Sequence, residues 1–155
     1  MLRDVLTAFE SADLPEPAEL EERVNRDMES LQSLQNSDGG FPYWRRGFES
    51  IPFHTIHVAH ALARAQEKGF DVPAEMQYSA LTYLQDIESH YPWWYSDDTR
   101  NTLSAYALYV RNLWDDRDAG KALRLLNETG IDQLSMEAIG WLLSLIHISE
   151  PTRPY

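Results

Sequence analysis

Two short segments decide the fold of this chain, Phe41-Pro42-Tyr43-Trp44 and Tyr91-Pro92-Trp93-Trp94, and they lie 50 residues apart. The same spacing separates Leu34-Gln35 from Leu84-Gln85, so each aromatic segment follows a Leu-Gln pair at the same distance. Repetition at a fixed period is typical of a repeat architecture, in which one structural unit is built several times. We therefore predict that two consecutive blocks of the chain fold alike.

Each aromatic segment is flanked by helical patterns. From Ala18 to Gln35, apolar residues recur every three or four positions with charged side chains between them, which predicts an amphipathic helix. An alanine-rich stretch follows each aromatic segment, Ala59–Arg64 in the first block and Ala105–Arg111 in the second. The predicted unit is an amphipathic helix, an aromatic linker and a helix of small residues.

Glycine, proline and capping residues mark the predicted helix boundaries. Asn36-Ser37-Asp38-Gly39-Gly40 ends the first long helix, because glycine tolerates the left-handed backbone that a helix exit prefers. Ser96 is predicted to cap a helix that begins with Asp97 and Asp98. The remaining predictions are a short apolar stripe at Leu2–Phe9 and helices at about Pro52–Lys68, from Pro73 onward, Arg117–Asn127 and Leu134–Leu143. The last two helices form a third, shortened unit within residues 120–143.

The helix pairs predict an all-α fold in two layers. One pair is too small to bury its own apolar face, so neighbouring pairs must stack. An amphipathic helix exposes one side, whereas an alanine-rich helix can be packed on several sides, which indicates an outer and an inner layer. No stretch alternates like a β-strand over more than a few residues. Residues 1–143 are therefore predicted to form a layered helical repeat, either an open solenoid or a closed α/α toroid.

Composition and charge exclude several classes of function. The chain has 155 residues, of which 43% are hydrophobic, and this is enough for a packed core. Thirteen basic and 25 acidic side chains give a net charge of -12, which repels phosphate backbones and anionic lipid. We therefore expect no nucleic-acid partner. No apolar run approaches the roughly 18 residues of a spanning helix, so direct membrane insertion is not expected either.

The chain contains no cysteine. Disulfides, thiol nucleophiles, cysteine–metal sites and any thioester made from a cysteine of this chain are thereby excluded. The absence of cysteine does not indicate the redox compartment, because a chain without thiols is stable on either side of a membrane. Met1-Leu2-Arg3-Asp4 lacks the apolar core of a signal peptide, so an export signal would have to lie upstream.

The last twelve residues differ in character from the rest. Residues 144–155 carry two prolines and show no helical stripe and no match to the repeat. They look like the translated sequencing-adapter read-through that ends many assembled reading frames. We predict that 144–155 is a non-native or disordered tail, and we leave His147 out of every candidate site.

Three groups of polar residues are candidate sites. His54, His57 and His60 are spaced so that adjacent pairs could share a metal ion, although hydrogen bonds to linker backbone are the favoured interpretation. Asp97 and Asp98 could serve as an acid or as half of a carboxylate pair, but capping already explains them. Asp115, Asp116 and Asp118 are more simply a turn and a helix start. We therefore expect no catalytic residue, no metal and no cofactor.

The linkers supply a further candidate site. Their aromatic residues could stack on sugars or line an apolar cavity, but their regular recurrence with proline favours a repeated wedge between the helix layers. These residues are Trp44, Tyr91, Trp93, Trp94 and Tyr95. The basic pair Arg45-Arg46 could contact a neighbouring domain, or could belong to a solvated turn.

The segment from Leu31 to Trp44, with Gln35-Asn36-Ser37-Asp38-Gly39-Gly40-Phe41 at its centre, resembles the helix-exit segment of bacterial alpha-2-macroglobulins. Gly69-Phe70-Asp71-Val72-Pro73 and the stretch Asp98–Leu108 follow in the order and spacing of that family's thioester-containing domain, which complement components share. The resemblance extends from Val5 to Leu143. It implies a partial α/α toroid in a protein that traps and inhibits proteases in the periplasm or cell envelope. The implied partners are other domains of the parent chain and the target proteases.

The resemblance lacks the family's reactive bond. That bond joins a Cys to a Gln in a Cys-x-x-Gln-type segment N-terminal to the matched region, and this chain has neither the segment nor a cysteine. No catalytic residue can be carried over, so we expect a non-enzymatic module. Two alternatives stay open. A similar Gln-x-x-Asp-Gly-Gly-Phe motif occurs in triterpene cyclases and prenyltransferases, which suggests a toroid enzyme acting on isoprenoids or polysaccharides, and a plain helical scaffold would bind peptides in an open groove.

Overall fold

A computed structural model describes residues 16–147 of the chain. Within this range the backbone is all-α, and its one β-type contact is an isolated bridge between Pro42 and Ser50. The α-helices are α1 Pro17–Leu34, α2 Pro52–Glu67, α3 Ala74–Gln85, α4 Asp97–Leu113, α5 Ala119–Thr129 and α6 Met136–His147. Short 3₁₀ turns lie at Ile87–His90 and Ile131–Gln133. None of the helices in residues 16–147 has the length and apolarity needed to cross a membrane.

The helices form the two layers that the sequence predicts. Helices α2, α4 and α6 lie side by side as the inner layer, and α4 packs extensively against both of its neighbours. In the outer layer, α3 bridges α2 and α4, and α5 bridges α4 and α6. Helix α1 joins the same core through Met28, with Val24 and Leu31 packed beside it. The predicted third unit is confirmed as the pair α5 and α6.

Small residues explain why the inner helices can be packed on several sides. Six consecutive residues of α4, from Leu103 to Leu108, are buried. Ala107 and Tyr106 belong to the core shared with α2 and α3, whereas Ala105 and Leu108 belong to the core shared with α5 and α6. The outer helix α5 buries only Ala122 completely. The difference follows from sequence, because α5 has an apolar stripe on one side and charged residues on the other.

Several helix boundaries differ from the predictions by one or two residues, and one differs by four. Pro73 precedes α3 rather than opening it. Helix α6 continues to His147, four residues beyond the predicted end at Leu143, because Leu142 and Leu145 lie on one face and are both fully buried. The predicted absence of a helical stripe is therefore wrong for 144–147. The division of the chain at residue 143 stays a prediction. Residues 148–155, like the stripe at Leu2–Phe9, lie outside the described residues.

The repeated Leu-Gln pair links each unit to the next. The Gln35 side-chain amide is buried and donates to the carbonyl oxygens of Gly39, at 2.9 Å, and Met76, at 3.0 Å. Met76 lies on α3, the outer helix of the next unit. The Gln85 amide likewise donates to the Asp116 carboxylate, 3.0 Å away, just before α5. The recurrence of glutamine at this spacing therefore has a structural cause.

The segment after Gln35 is folded tightly on itself. Asn36 donates from its side chain to the Phe48 carbonyl at 2.7 Å and accepts from the Gly47 N–H at 2.8 Å. The Asp38 carboxylate accepts from the Gly40 N–H and from the Ser50 hydroxyl, both at 2.9 Å. Such side-chain bonds to nearby backbone fix a turn without regular secondary structure. The motif Asn36–Gly40 thus determines where the aromatic linker starts.

Candidate interaction surface at the aromatic linkers

The two aromatic linkers lie side by side at one end of the helix layers. A cleft of about 510 Å³ is lined by residues of the first linker, including Asp38 and Phe48, and of the second, including His90 and Pro92. Tyr83, at the end of α3, lies between them with its ring stacked on His90 at 3.8 Å. The two copies of the repeat unit therefore present equivalent linkers to the same side of the molecule.

Phe41 of the first linker and Tyr91 and Tyr95 of the second pack inward, against the helical core. Phe41 is 2% exposed, and its backbone N–H donates to the Thr55 hydroxyl on α2 at 2.9 Å. Tyr91 is half-buried, and its hydroxyl lies 2.9 Å from the Ser104 hydroxyl on α4. Burial raises the pKa of the Tyr91 hydroxyl above its ordinary value, so the group stays protonated. Each linker is therefore anchored to its own inner helix.

The tryptophans of the linkers lie on the surface. Trp44 is 74% exposed, Trp93 is 85% exposed and Trp94 is 61% exposed. The prediction that they form a wedge between the helix layers is therefore wrong. A linker has no periodicity that would show which ring faces inward. Contacts with the inner helices, such as those of Phe41 with Thr55 and of Tyr91 with Ser104, distinguish the buried rings from the exposed ones.

Further aromatic residues extend this exposed area. We define the linker aromatic surface as the six exposed rings of Tyr43, Trp44, Phe48, Phe53, Trp93 and Trp94. Tyr43 and Trp44 meet edge to face with centroids 4.4 Å apart, and the Arg45 guanidinium lies 5.5 Å above the Phe48 ring. Arg46, the next residue after Arg45, is also exposed. Exposed aromatic residues together with arginine are typical of protein–protein interfaces.

The three histidines of α2 do not converge on one point. His57 and His60 both approach the hydroxyl of Tyr106 on α4, with Nδ1 atoms 3.3 Å and 2.8 Å away. The His54 ring instead packs against Tyr43. Among residues 16–147, no three His, Cys, Asp or Glu side chains are grouped so that they could hold a metal ion. The favoured interpretation, hydrogen bonds to linker backbone, is wrong for His57 and His60, since both contact a side chain of the next inner helix.

The donor and acceptor roles in the hydrogen bonds around His60 follow from Arg64. Arg64 Nε lies 3.4 Å from His60 Nε2 and can only donate, so that ring nitrogen accepts. A neutral His60 then carries its proton on Nδ1 and donates it to the Tyr106 oxygen. The Tyr106 hydroxyl donates in turn to His57. Arg64 also donates to the Tyr109 hydroxyl at 2.9 Å, so this chain of bonds connects α2 and α4.

This arrangement predicts a loss of stability on acidification. Burial, followed by the charges of Arg64 and His57, lowers the pKa of His60 below its ordinary value. The unfolded chain therefore takes up a proton at higher pH than the folded chain does. The contribution of neutral His60 to folding is complete above about pH 6.5 and is lost as the pH falls toward the folded pKa.

We expect the urea midpoint, followed by circular dichroism, to decrease between pH 7.5 and pH 5. The decrease should be smaller in His60→Phe, which keeps an aromatic ring beside Tyr106 and Tyr109 but cannot titrate. His54→Phe removes another histidine of the same helix and serves as the control. Equal effects of the two substitutions would contradict the assignment of this pH dependence to His60.

The acidic candidates occupy helix starts. The Ser96 hydroxyl accepts from the Thr99 N–H at 3.2 Å, which confirms the predicted cap, and Asp97 and Asp98 are exposed in the first turn of α4. Asp118 caps α5 by accepting from the Lys121 N–H at 2.8 Å, as expected for a helix start. Asp115 lies in the turn with a positive φ of 60°.

Asp116 has a role that sequence reasoning missed. Its carboxylate is 2.7 Å from Nε of Arg111, an arginine of α4 that is only 6% exposed. The hydrogen bond from Arg111 is the main reason why the pKa of Asp116 lies below its ordinary value. An arginine inside an otherwise apolar helix face is the one signal in the sequence that could have indicated a buried ion pair.

Layered helix pairs with outward-facing linkers define this chain as an arc of an α/α toroid. No protein-family model matches the sequence. In sequence, the chain is 35% identical over 72 residues to alpha-2-macroglobulin of Thermotoga maritima and 27% identical over 97 residues to that of Rickettsia conorii. These matches cover 46% and 59% of the chain. The chain is thus similar in sequence, over about half of its length, to bacterial alpha-2-macroglobulins.

Solved structures show the same relation in the fold. The chain matches trypsin-activated alpha-2-macroglobulin from Escherichia coli with a TM-score of 0.74, at 20% identity and over 89% of its length. It matches a mutant of Salmonella alpha-2-macroglobulin with a TM-score of 0.75, at 22% identity and over 90% of its length. The chain spans only 5% of the length of the sequence relatives and 9–10% of these two solved chains.

Proposed function

We propose that this chain is a non-catalytic helical module of a bacterial alpha-2-macroglobulin-type protease-trapping inhibitor. The observation that carries the proposal is the fold match to alpha-2-macroglobulins over about nine-tenths of the chain. Since the matched region is a small part of those proteins, inhibition would belong to the whole parent protein. The module would supply a rigid helical body and contacts to its neighbours.

We infer further that the module corresponds to the thioester-type domain of the family, in the periplasm or cell envelope. The support is the sequence resemblance at Leu31–Trp44, Gly69–Pro73 and Asp98–Leu108. In the mechanism implied by the family, cleavage of a bait region elsewhere in the parent lets its domains rearrange around the protease. Without a cysteine, this chain cannot form the reactive bond itself. Its part would be to shield such a bond, where the parent has one, until release.

The linker aromatic surface is the proposed contact with another domain of the same parent. Trp44, Trp93 and Trp94 are each more than half exposed, although burying such rings is strongly favourable. Trp44 lies on a linker that is held by hydrogen bonds from Gln35, Asn36 and the Phe41 backbone. The linker of Trp93 and Trp94 is anchored by the hydrogen bond between the Tyr91 and Ser104 hydroxyls, so both linkers are positioned before they meet a partner. Preorganisation of this kind lowers the entropic cost of docking.

A toroid enzyme is less well supported. Such an enzyme would need convergent carboxylates around a cavity lined by the linker tryptophans. Asp97 and Asp98 are instead exposed in the first turn of α4, and the tryptophans lie on the surface. No specific observation favours a peptide-binding scaffold, so neither alternative is proposed.

The proposal is tested on the parent protein, cloned with the coding sequence on both sides of this chain. We expect the parent protein, once mixed with trypsin, to suppress the cleavage of a large protein substrate by trypsin. Trypsin should continue to cleave a small chromogenic peptide. A trapped protease has an intact active site that only small molecules can reach. Flanking sequence without macroglobulin-type β-sandwich domains, or equal trypsin activity on both substrates, would contradict the proposal.

Variants of the parent test the surface itself. Trp44→Ser combined with Trp93→Ser should weaken the difference between large and small substrates, because the module would dock less firmly. Tyr78→Ser is the matched control, since Tyr78 is 72% exposed on α3 and does not belong to the linker aromatic surface. If the trap works equally well in both variants, the linkers do not form the contact even where the parent is an inhibitor.

A further inference from the structure

A second cleft, of about 450 Å³, lies between α4, α5 and the 3₁₀ turn Ile87–His90. Its volume is in the range of small-ligand pockets. Nine side chains line it, and most of them are polar or charged, including Glu88, Arg100, Ser104, Lys121, Arg124 and Glu128. Three of the nine are cations, in a chain whose net charge is -12.

The cations of this cleft differ in their partners. Lys121 Nζ is 2.8 Å from a Glu88 carboxylate oxygen, so these two charges neutralise each other. Arg100 and Arg124 form no ion pair with any residue in 16–147. Glu128, the remaining carboxylate of the cleft, and Arg124 are both exposed on the same helix. With three cations against the carboxylates of Glu88 and Glu128, the cleft carries one net positive charge, and the two cations without an ion pair among the described residues are Arg100 and Arg124.

Arg100 is positioned by two long hydrogen bonds, but one of its N–H donors has no acceptor among residues 16–147. Its Nη2 donates to the carbonyl oxygens of Pro92 and Trp93 over long distances of 3.5 Å and 3.4 Å. Its Nε is buried and has no hydrogen-bond partner within the described part of the chain. A buried donor on a charged group is costly when it is unpaired, and an anion bound at the accessible part of the same guanidinium would offset part of that cost.

Other polar and apolar side chains complete the cleft. The Ser104 hydroxyl donates to Glu88 at 3.2 Å and accepts from Tyr91, so these three residues form a fixed polar wall. Asn101 adds an amide, and Leu125 adds an apolar contact. The combination suits a small molecule with a charged end and a short hydrocarbon part.

We propose that this cleft binds a carboxylate-bearing ligand through Arg100 and Arg124. A guanidinium is planar and presents parallel N–H groups that match the two oxygens of a carboxylate. The ligand can be a free dicarboxylate or the acidic side chain of a peptide, since the same group is recognised in both. The site does not depend on the function proposed above, because it lies within this chain and needs no other domain.

The test is an NMR titration of the full 155-residue chain, labelled with ¹⁵N, with succinate at constant ionic strength. Arginine Nε–H signals report directly on the groups concerned. We expect saturable shifts of the Arg100 and Arg124 signals, and roughly tenfold weaker binding in Arg124→Gln, because a charge-assisted hydrogen bond is lost. A blocked Gly-Glu-Gly peptide, titrated in parallel, shows whether a side-chain carboxylate binds more tightly than the free dicarboxylate.

Arg23→Gln is the matched control. It removes the same charge from α1, where Arg23 forms an exposed pair with Glu19. Binding should be unchanged in this variant. The proposal is overturned if sodium chloride alone produces the same shifts, if Arg23→Gln weakens binding as much as Arg124→Gln does, or if neither carboxylate shifts the Arg100 and Arg124 signals.

Discussion

Gly39→Ala should destabilise this protein by about 3–5 kcal/mol, as the sum of a strained backbone and a steric clash. Gly39 has a φ of 85°, in the left-handed region that L-residues with a side chain rarely adopt. A Cβ atom there would lie 2.1 Å from the Ser79 carbonyl oxygen, which belongs to the backbone of α3. Moving helix α3 away from the turn would strain the hydrogen bonds of the Gln35 amide, which joins Gly39 to Met76 of α3.

Gly47→Ala separates the two contributions. Gly47 also has a positive φ, of 93°, but a Cβ atom there meets nothing within 4 Å. This variant should lose only the conformational part, about 1–2 kcal/mol. The free energies of unfolding can be measured by urea denaturation followed by circular dichroism. Equal losses in the two variants would mean that the close approach to α3 does not matter for stability.

The second large effect is expected at the buried ion pair. Asp116→Ala should lower the free energy of unfolding by about 3 kcal/mol, because it leaves the buried Arg111 guanidinium without its close partner. Asp118 forms a longer ion pair with Arg111, at 3.8 Å, so it offsets only part of this loss. The variant also removes the acceptor of Gln85.

Two further variants make this prediction specific. Glu19→Gln removes a carboxylate from a pair that is equally short, at 2.6 Å, but exposed, so its cost should be below about 1 kcal/mol. Arg111→Met combined with Asp116→Ala should recover much of the loss, because no buried charge remains. A loss in the double variant as large as in Asp116→Ala would rule out the unpaired arginine as the cause.

The pair of Arg111 and Asp116 also predicts that the free energy of unfolding decreases at low pH. The folded pKa of Asp116 is lowered, mainly by Arg111, so its stabilising contribution is complete above the unfolded value near pH 4. It is lost as the pH falls through the folded pKa. This window lies below that of His60, so the two contributions can be distinguished in one series of urea midpoints.

Sequence patterns predicted the helices well and the linkers poorly. The start of α2 at Pro52 and the Ser96 cap of α4 followed from local rules of backbone geometry and capping. The end of α6 did not, because Leu145 contributes to a core whose other members lie on α4 and α5. The positions of Trp44 and Trp93 depended on which ring the inner helix could anchor, and neighbouring residues do not determine that.

The sequence by itself determined the repeated unit, its all-α character and its two layers, because helical periodicity and turn residues act over a few positions along the chain. The tertiary structure decided which side chains meet. His60 meets Tyr106 from 46 residues away, and Gln85 meets Asp116 from 31 residues away. Such pairs depend on how one helix is positioned against the next, and that position is fixed only when the whole core packs.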